Sequence, residues 1–147
     1  MLVWLAENIH PRALDQVISA EIPNPEEDPE LFDLVKTWML HGPCSRSRCL
    51  QNGKCNKKFP KPFMESTMSD RDGYPLYKRR KPGDGGQEIS ITRNSGAIHI
   101  YNNRDVVSYN PALLRIGQCH INVEYVASIS AIKYVCKYVA KGMYLFF

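Results

Sequence analysis

Apolar residues recur along this chain with two periods. From Glu30 to Leu40, the residues Leu31, Leu34, Val35 and Met39 fall at helical spacing behind early acidic residues, so a helix opened by Asp28 or Pro29 is predicted. Glu88-Ile-Ser-Ile-Thr92 and Ala97-Ile-His-Ile-Tyr101 alternate at every second residue, predicting two strands joined at Arg93-Asn-Ser-Gly96. His120-Ile-Asn-Val-Glu-Tyr-Val126 alternates in the same way, with His120, Asn122 and Glu124 on its polar side. Asp15 to Ile22 reads as a weak helical or extended piece, and Pro23 to Pro29 as an acidic, turn-rich linker. A new segment carrying Leu113 and Leu114 begins at Tyr109-Asn-Pro111. This order of elements predicts an α+β fold: a partial antiparallel sheet with flanking helices, in one domain spanning 1–147.

The last periodic segment, 129–142, carries the most suggestive chemistry. On a helical wheel Ala131, Ile132, Val135, Cys136 and Val139 form an apolar face, and Lys133, Lys137 and Lys141 form the opposite stripe. Tyr134 and Tyr138 lie one turn apart on the border, where a ring can pack while its oxygen stays exposed. A tyrosine so placed can attack a phosphodiester while neighbouring lysines hold the phosphates. The same spacing also describes an ordinary amphipathic helix edge beside a solvated lysine row.

Composition narrows the class only slightly. The 147 residues carry a net charge of +4, with 44% hydrophobic and 23% charged residues, ordinary values for a globular domain. A mildly basic balance permits a nucleic-acid partner without demanding one. No apolar run reaches the roughly 20 residues of a membrane-spanning helix, and no secretory signal precedes the first segment, so an intracellular setting is expected. In that setting five cysteines argue for thiols or metal rather than disulfides.

Four of the metal-binding candidates cluster. His41, Cys44, Cys49 and Cys55 fall within a Cys/His-rich loop at 41–63, and three thiolates with one imidazole suit a tetrahedral structural zinc. Gly42, Pro43, Asn52 and Gly53 let such a loop turn around an ion. The alternative is reduced thiols in an irregular loop. Cys119 and Cys136 read as small core residues. Two stretches then interleave cations with rings: Lys57, Lys58 and Lys61 with Phe59 and Phe63, and Arg79 and Arg80 with Tyr74 and Tyr77. Cations meet phosphates and rings stack on bases, which suits single-stranded nucleic acid; a solvated basic loop is the plainer alternative.

Six ordered phrases resemble the Helitron helicase-like region, the replication-initiator part of Helitron rolling-circle transposases. They are His41-Gly-Pro-Cys44, Cys55-Asn-Lys-Lys-Phe-Pro-Lys-Pro-Phe63, Asp72-Gly-Tyr-Pro-Leu-Tyr-Lys-Arg-Arg80, Val106-Val-Ser-Tyr-Asn-Pro111, His120-Ile-Asn-Val-Glu124 and Lys133-Tyr-x3-Tyr138-x2-Lys-Gly142. The resemblance implies a nuclear DNA endonuclease whose sheet holds a divalent cation, Mg or Mn, on a His-hydrophobic-His motif. Tyr134 and Tyr138 are then the nucleophiles, forming a phosphotyrosine link to single-stranded DNA, with Lys133, Lys137 and Lys141 beside the phosphates. A helicase domain normally follows on the same polypeptide. This sequence departs from the pattern at Ser45 and Ser108, and the paired histidines are absent from it. Met1-Leu-Val-Trp-Leu5 resembles the end of the strand that should carry them. The expectation is therefore a transposase fragment that handles single-stranded DNA but does not cleave it unaided.

Overall fold

The computed structural model describes residues 13–44, 49–71, 73–92 and 96–125. The tyrosine segment 129–142, with Tyr134, Tyr138, Lys133, Lys137 and Lys141, lies outside the described residues, as does Met1–Leu5.

The elements are short. A single helical turn, α1 (Leu14–Val17), leads into an extended stretch that bridges Ser19 to Tyr109. Helix α2 (Pro29–Leu34) starts where sequence places it: Asp28 is the N-cap, accepting from the Leu31 N–H at 3.1 Å, and proline occupies the first turn, where its missing donor costs nothing. The helix then widens into a π-helical turn, Val35–Met39, that periodicity alone does not announce. Leu31, Val35 and Met39 are buried along one side, as their spacing requires. Helix α3 (Pro111–Gly117) repeats the device, with Asn110 accepting from Leu113 N–H at 2.9 Å and Pro111 next, and ends on left-handed Gln118.

The strands form three separate two-stranded antiparallel ladders among the described residues, where sequence suggests one partial sheet. β1 (Leu50–Gln51) pairs β2 (Lys54–Cys55), and β3 (Met68–Ser69) pairs β4 (Pro75–Leu76). β5 (Glu88–Thr92) pairs β6 (Ile98–Asn102) over five residues, close to the predicted bounds. The fold is thus α+β at the level of its element types.

Two hydrophobic clusters hold it together. The larger joins Ile22, Leu31, Val35, Met39, Val106, Tyr109 and Leu114; the smaller joins Ile18, Ala20 and Tyr77. The segment 120–125 keeps its alternation, with Ile121 and Val123 packed on the clusters and His120, Asn122 and Glu124 exposed, but it forms no ladder among the described residues. It is tied to the body by the Val123 N–H to Ser108 C=O bond of 3.0 Å, by Tyr125 N–H to the Tyr77 hydroxyl at 2.8 Å, and by the Tyr77 and Ser108 hydroxyls donating to Glu124. Cys119 is exposed, contrary to its reading as a core residue: it follows the left-handed end of α3, beyond the last buried position, Leu114.

A buried polar hub welds the clusters. Asn103, fully buried, accepts from Ile22 N–H at 2.8 Å and donates to Arg80 C=O at 3.0 Å. Arg79 is only 4% exposed, and its guanidinium donates to the carbonyls of Ala20 (3.3 Å), Val106 (2.7 Å) and Asn103. Burial pulls its pKa down to about 10, against the opposing pull of Glu124, Asp105 and Glu21, so it stays cationic at neutral pH. Tyr109 sits beside this hub with its hydroxyl donated to Glu21 C=O at 3.0 Å.

Candidate metal centre

The cysteine loop is built from turns that sequence chemistry dictates. Asn52 and Gly53 both adopt positive φ, at 51° and 74°, and form the two-residue turn between β1 and β2. Asn-Gly is the preferred pair for a turn that needs both residues left-handed. The hairpin sets Cys55 opposite Leu50, next to Cys49. Beyond it the chain knuckles: Asn56 N–H reaches Cys49 C=O at 2.7 Å, and Lys58 N–H reaches Cys55 C=O at 2.9 Å. On the other side His41 leaves the helical segment with its N–H on Asp105 C=O at 2.8 Å, and Gly42 takes a φ of 117° that a side chain would resist.

These turns bring all four candidate ligands together. Nε2 of His41 lies 3.2 Å from Cys55 Sγ, 3.3 Å from Cys44 Sγ and 3.6 Å from Cys49 Sγ. Cys44 and Cys49 Sγ are 3.5 Å apart, and all four atoms lie within 4.8 Å of one another. A tetrahedron with metal–sulfur bonds of about 2.3 Å and metal–nitrogen bonds of about 2.0–2.1 Å has edges of roughly 3.8 Å and 3.5 Å. The three distances from His41 and the Cys44–Cys49 separation, 3.2–3.6 Å, lie close to those edges. A disulfide, with sulfurs about 2.05 Å apart, is a different geometry, and the cysteines are free thiols.

The electrostatics differ from ligand to ligand: His41 and Cys55 are disposed toward a cation, while Cys44 stays a thiol unless a cation draws its proton off. Burial pushes the Cys44 thiol up to about 11, and the adjacent thiols add to the rise. Burial also acts to raise Cys55, but main-chain N–H groups of Phe59 and Lys57 outweigh it and leave its pKa below the ordinary thiol value. Such N–H donors to sulfur stabilise a thiolate ligand. Burial lowers the His41 pKa, despite Asp105 pulling the other way, which keeps the imidazole neutral with a lone pair to offer. Phe59 stacks on the His41 ring, centroids 4.2 Å apart, and fixes its orientation.

A stripe of cations and rings leads away from the centre. Lys61 Nζ lies 5.0 Å from the Phe59 centroid, and the Arg104 guanidinium lies 5.3 Å from that of Phe63. Arg104 also donates to Lys61 C=O at 2.7 Å, which joins the two pairs. Lys57 and Lys58 are exposed beside it. Arg79 and Arg80, grouped with these lysines by sequence, are placed elsewhere. Arg79 is spent in the buried hub, and Arg80 grips Glu21 through two contacts of 3.0 Å and one of 2.7 Å. Sequence reasoning missed Arg104 and His99, which lie apart from the basic runs along the chain.

What these residues define is an α+β domain with a knuckled His/Cys3 group close enough to hold a metal ion. No protein-family model matches the chain, and no curated protein matches it. Among the described residues no helix is long and apolar enough to cross a membrane.

Proposed function

We propose that this chain is part of a Helitron-type transposase, a zinc-stabilised region that binds single-stranded DNA and presents Tyr134 and Tyr138 as nucleophiles. The observation that carries the reading is spatial convergence of the phrases that resemble the family. His41-to-Cys44 meets Cys55-to-Phe63 at the metal cage. Tyr77 and Arg79 meet the other two described phrases, through Glu124 at 3.3 Å and Val106 C=O at 2.7 Å. Phrases far apart in sequence thus serve as mutual supports.

Zinc is the ion of choice because three thiolates and one imidazole satisfy it with no open position, the mark of a structural rather than a catalytic site. The second reading, a non-catalytic zinc-stabilised single-strand-binding module, is favoured by the stripe of Lys57, Lys58, Phe59, Lys61, Phe63 and Arg104, which needs no tyrosine. The two readings part on chemistry. A divalent ion held by paired histidines would polarise the scissile phosphate, and this sequence has no such pair, so the chain alone binds without cutting.

The test is direct. Zinc-loaded protein is incubated with labelled single-stranded DNA and Mg or Mn, then run under denaturing conditions. The expected result is salt-dependent binding, weakened when Lys57, Lys58 and Lys61 become Gln, and no covalent adduct. An adduct lost in Tyr134→Phe or Tyr138→Phe would overturn the inactivity and establish the nuclease. Binding indifferent to salt and to the three lysines would overturn both readings.

A further inference from the structure

Between the knuckle and β6 lies a cleft of about 250 Å³, bordered by the candidate ligands His41 and Cys44 and extending beyond them to β6. It is lined by rings from two parts of the chain: His41 and Phe59, already stacked, from the knuckle, and His99 and Tyr101 from β6. Asp105 lines the same cleft, and its carboxylate is held in place by accepting from Asn102 N–H at 3.1 Å. The volume falls below the roughly 300–1,000 Å³ of pockets that take drug-sized ligands, and so fits a single planar ring system. The Lys61 ammonium sits over the Phe59 ring, 5.0 Å from its centroid.

We propose that this cleft receives one unstacked nucleobase of single-stranded DNA, with an exocyclic amine donated to Asp105. The inference rests on the single-strand-binding reading above and adds a base site to it. Each part has a chemical reason. Rings supplied by the knuckle and by β6 offer stacking surfaces to a base, and every base has such a face. A carboxylate accepts from the exocyclic amine of cytosine, adenine or guanine and has nothing to accept from at the corresponding carbonyl of thymine. Lys61, over the Phe59 ring, offers a cation to a phosphate next to the bound base. Because Phe59 is fixed by Cys55 and stacked on His41, the knuckle wall of the cleft is set by the metal cage.

His99 is the residue on which to test this. It is half-buried on β6, belongs to neither hydrophobic cluster and is no part of the cage, so His99→Ala leaves the fold intact. Zinc-loaded protein is titrated with short single strands of dC, of dT, and with an abasic strand of equal length. Binding is expected in the order dC, dT, abasic, the last weaker than dC by on the order of tenfold. His99→Ala should erase most of the difference between dC and abasic, His99→Phe should restore it, and Asp105→Asn should remove the preference for dC over dT. Equal binding of all three strands overturns the base site while leaving the single-strand reading intact. No binding of any strand overturns both.

Discussion

Replacing Arg79 separates a structural cation from a phosphate ligand. Its guanidinium is 4% exposed and satisfies three main-chain carbonyls, those of Ala20, Asn103 and Val106. Hydrogen bonds from charged groups contribute about 1.5–3 kcal/mol each, so three give roughly 4–9 kcal/mol. Burying the guanidinium cancels several kcal/mol of that, although Glu124, Asp105 and Glu21 lie close enough to offset part of the loss. Arg79→Met removes the donors and leaves the carbonyls buried, and should cost about 3–5 kcal/mol, the range for breaking a buried charged contact. A domain of this size has about 5–15 kcal/mol in all. The assay is urea unfolding with zinc saturating, comparing midpoints at constant slope. Arg80→Met is the control: its side chain is 41% exposed, screening weakens its Glu21 pair, and it should cost about 1 kcal/mol or less. An Arg79→Met protein with an unchanged midpoint but a shallower salt dependence of DNA binding would refute the structural assignment.

Three further outcomes are expected. Cys55→Ser should abolish stoichiometric zinc by elemental analysis, and chelation of the intact protein should expose 41–63 to protease before the helices unfold; simultaneous loss of both would contradict it. Gly53→Ala places a Cβ that meets nothing within 4 Å, so only the φ of +74° resists it; a cost of about 1–2 kcal/mol should appear as roughly tenfold weaker zinc binding by competition with a chelating dye. Asp28 has its carboxyl pKa held below the ordinary value by the Leu31 N–H, with burial opposing and Arg115 assisting. Its stabilisation is therefore present above its unfolded value near about 3.9 and is lost as pH falls through the folded value. Asp28→Ala should lose about 1 kcal/mol at neutral pH, while Asp28→Asn should keep most of the cap and flatten the acid limb of thermal stability.

The legible parts of the fold were those fixed by local chemistry. Asp28-Pro29 announced a helix start because both residues act within one turn, and β5 and β6 were visible because alternation and turn chemistry are neighbours in sequence. The π-helical turn at Val35–Met39 was not, since no residue type demands it. Nor was the fate of the basic run Lys78-Arg79-Arg80-Lys81. Its charges look equivalent in sequence, yet Tyr77 and Arg79 are buried while Lys78 and Arg80, each next in the chain, are partly exposed. That period of two is a tertiary decision, imposed where Met64 and Arg79 bridge. The β1–β2 hairpin has its signal in Asn52-Gly53, which in sequence reads as letting the loop turn around an ion, without the register that the pairing of Leu50 with Cys55 shows.

The same contrast explains why the cage was readable and its neighbourhood was not. Ligand type is a property of single residues, so His41, Cys44, Cys49 and Cys55 could be grouped before any geometry was known. What the group is for depends on the rest of the loop. Among the described residues, none of the buried hydrophobic side chains falls between Leu40 and Leu76. That segment has no core of its own and is tied to the body by bridges at Leu40–Val106 and Met64–Arg79 and by Lys61 N–H to Arg104 C=O. A few backbone bonds, each worth about 1 kcal/mol net, do not offset the entropy of ordering so long a loop. An ion on four ligands can supply that free energy. A bound ion would therefore do for 41–63 what Val35, Val106 and Leu114 do for the body, and would hold Phe59 through the bond from its N–H to the Cys55 sulfur.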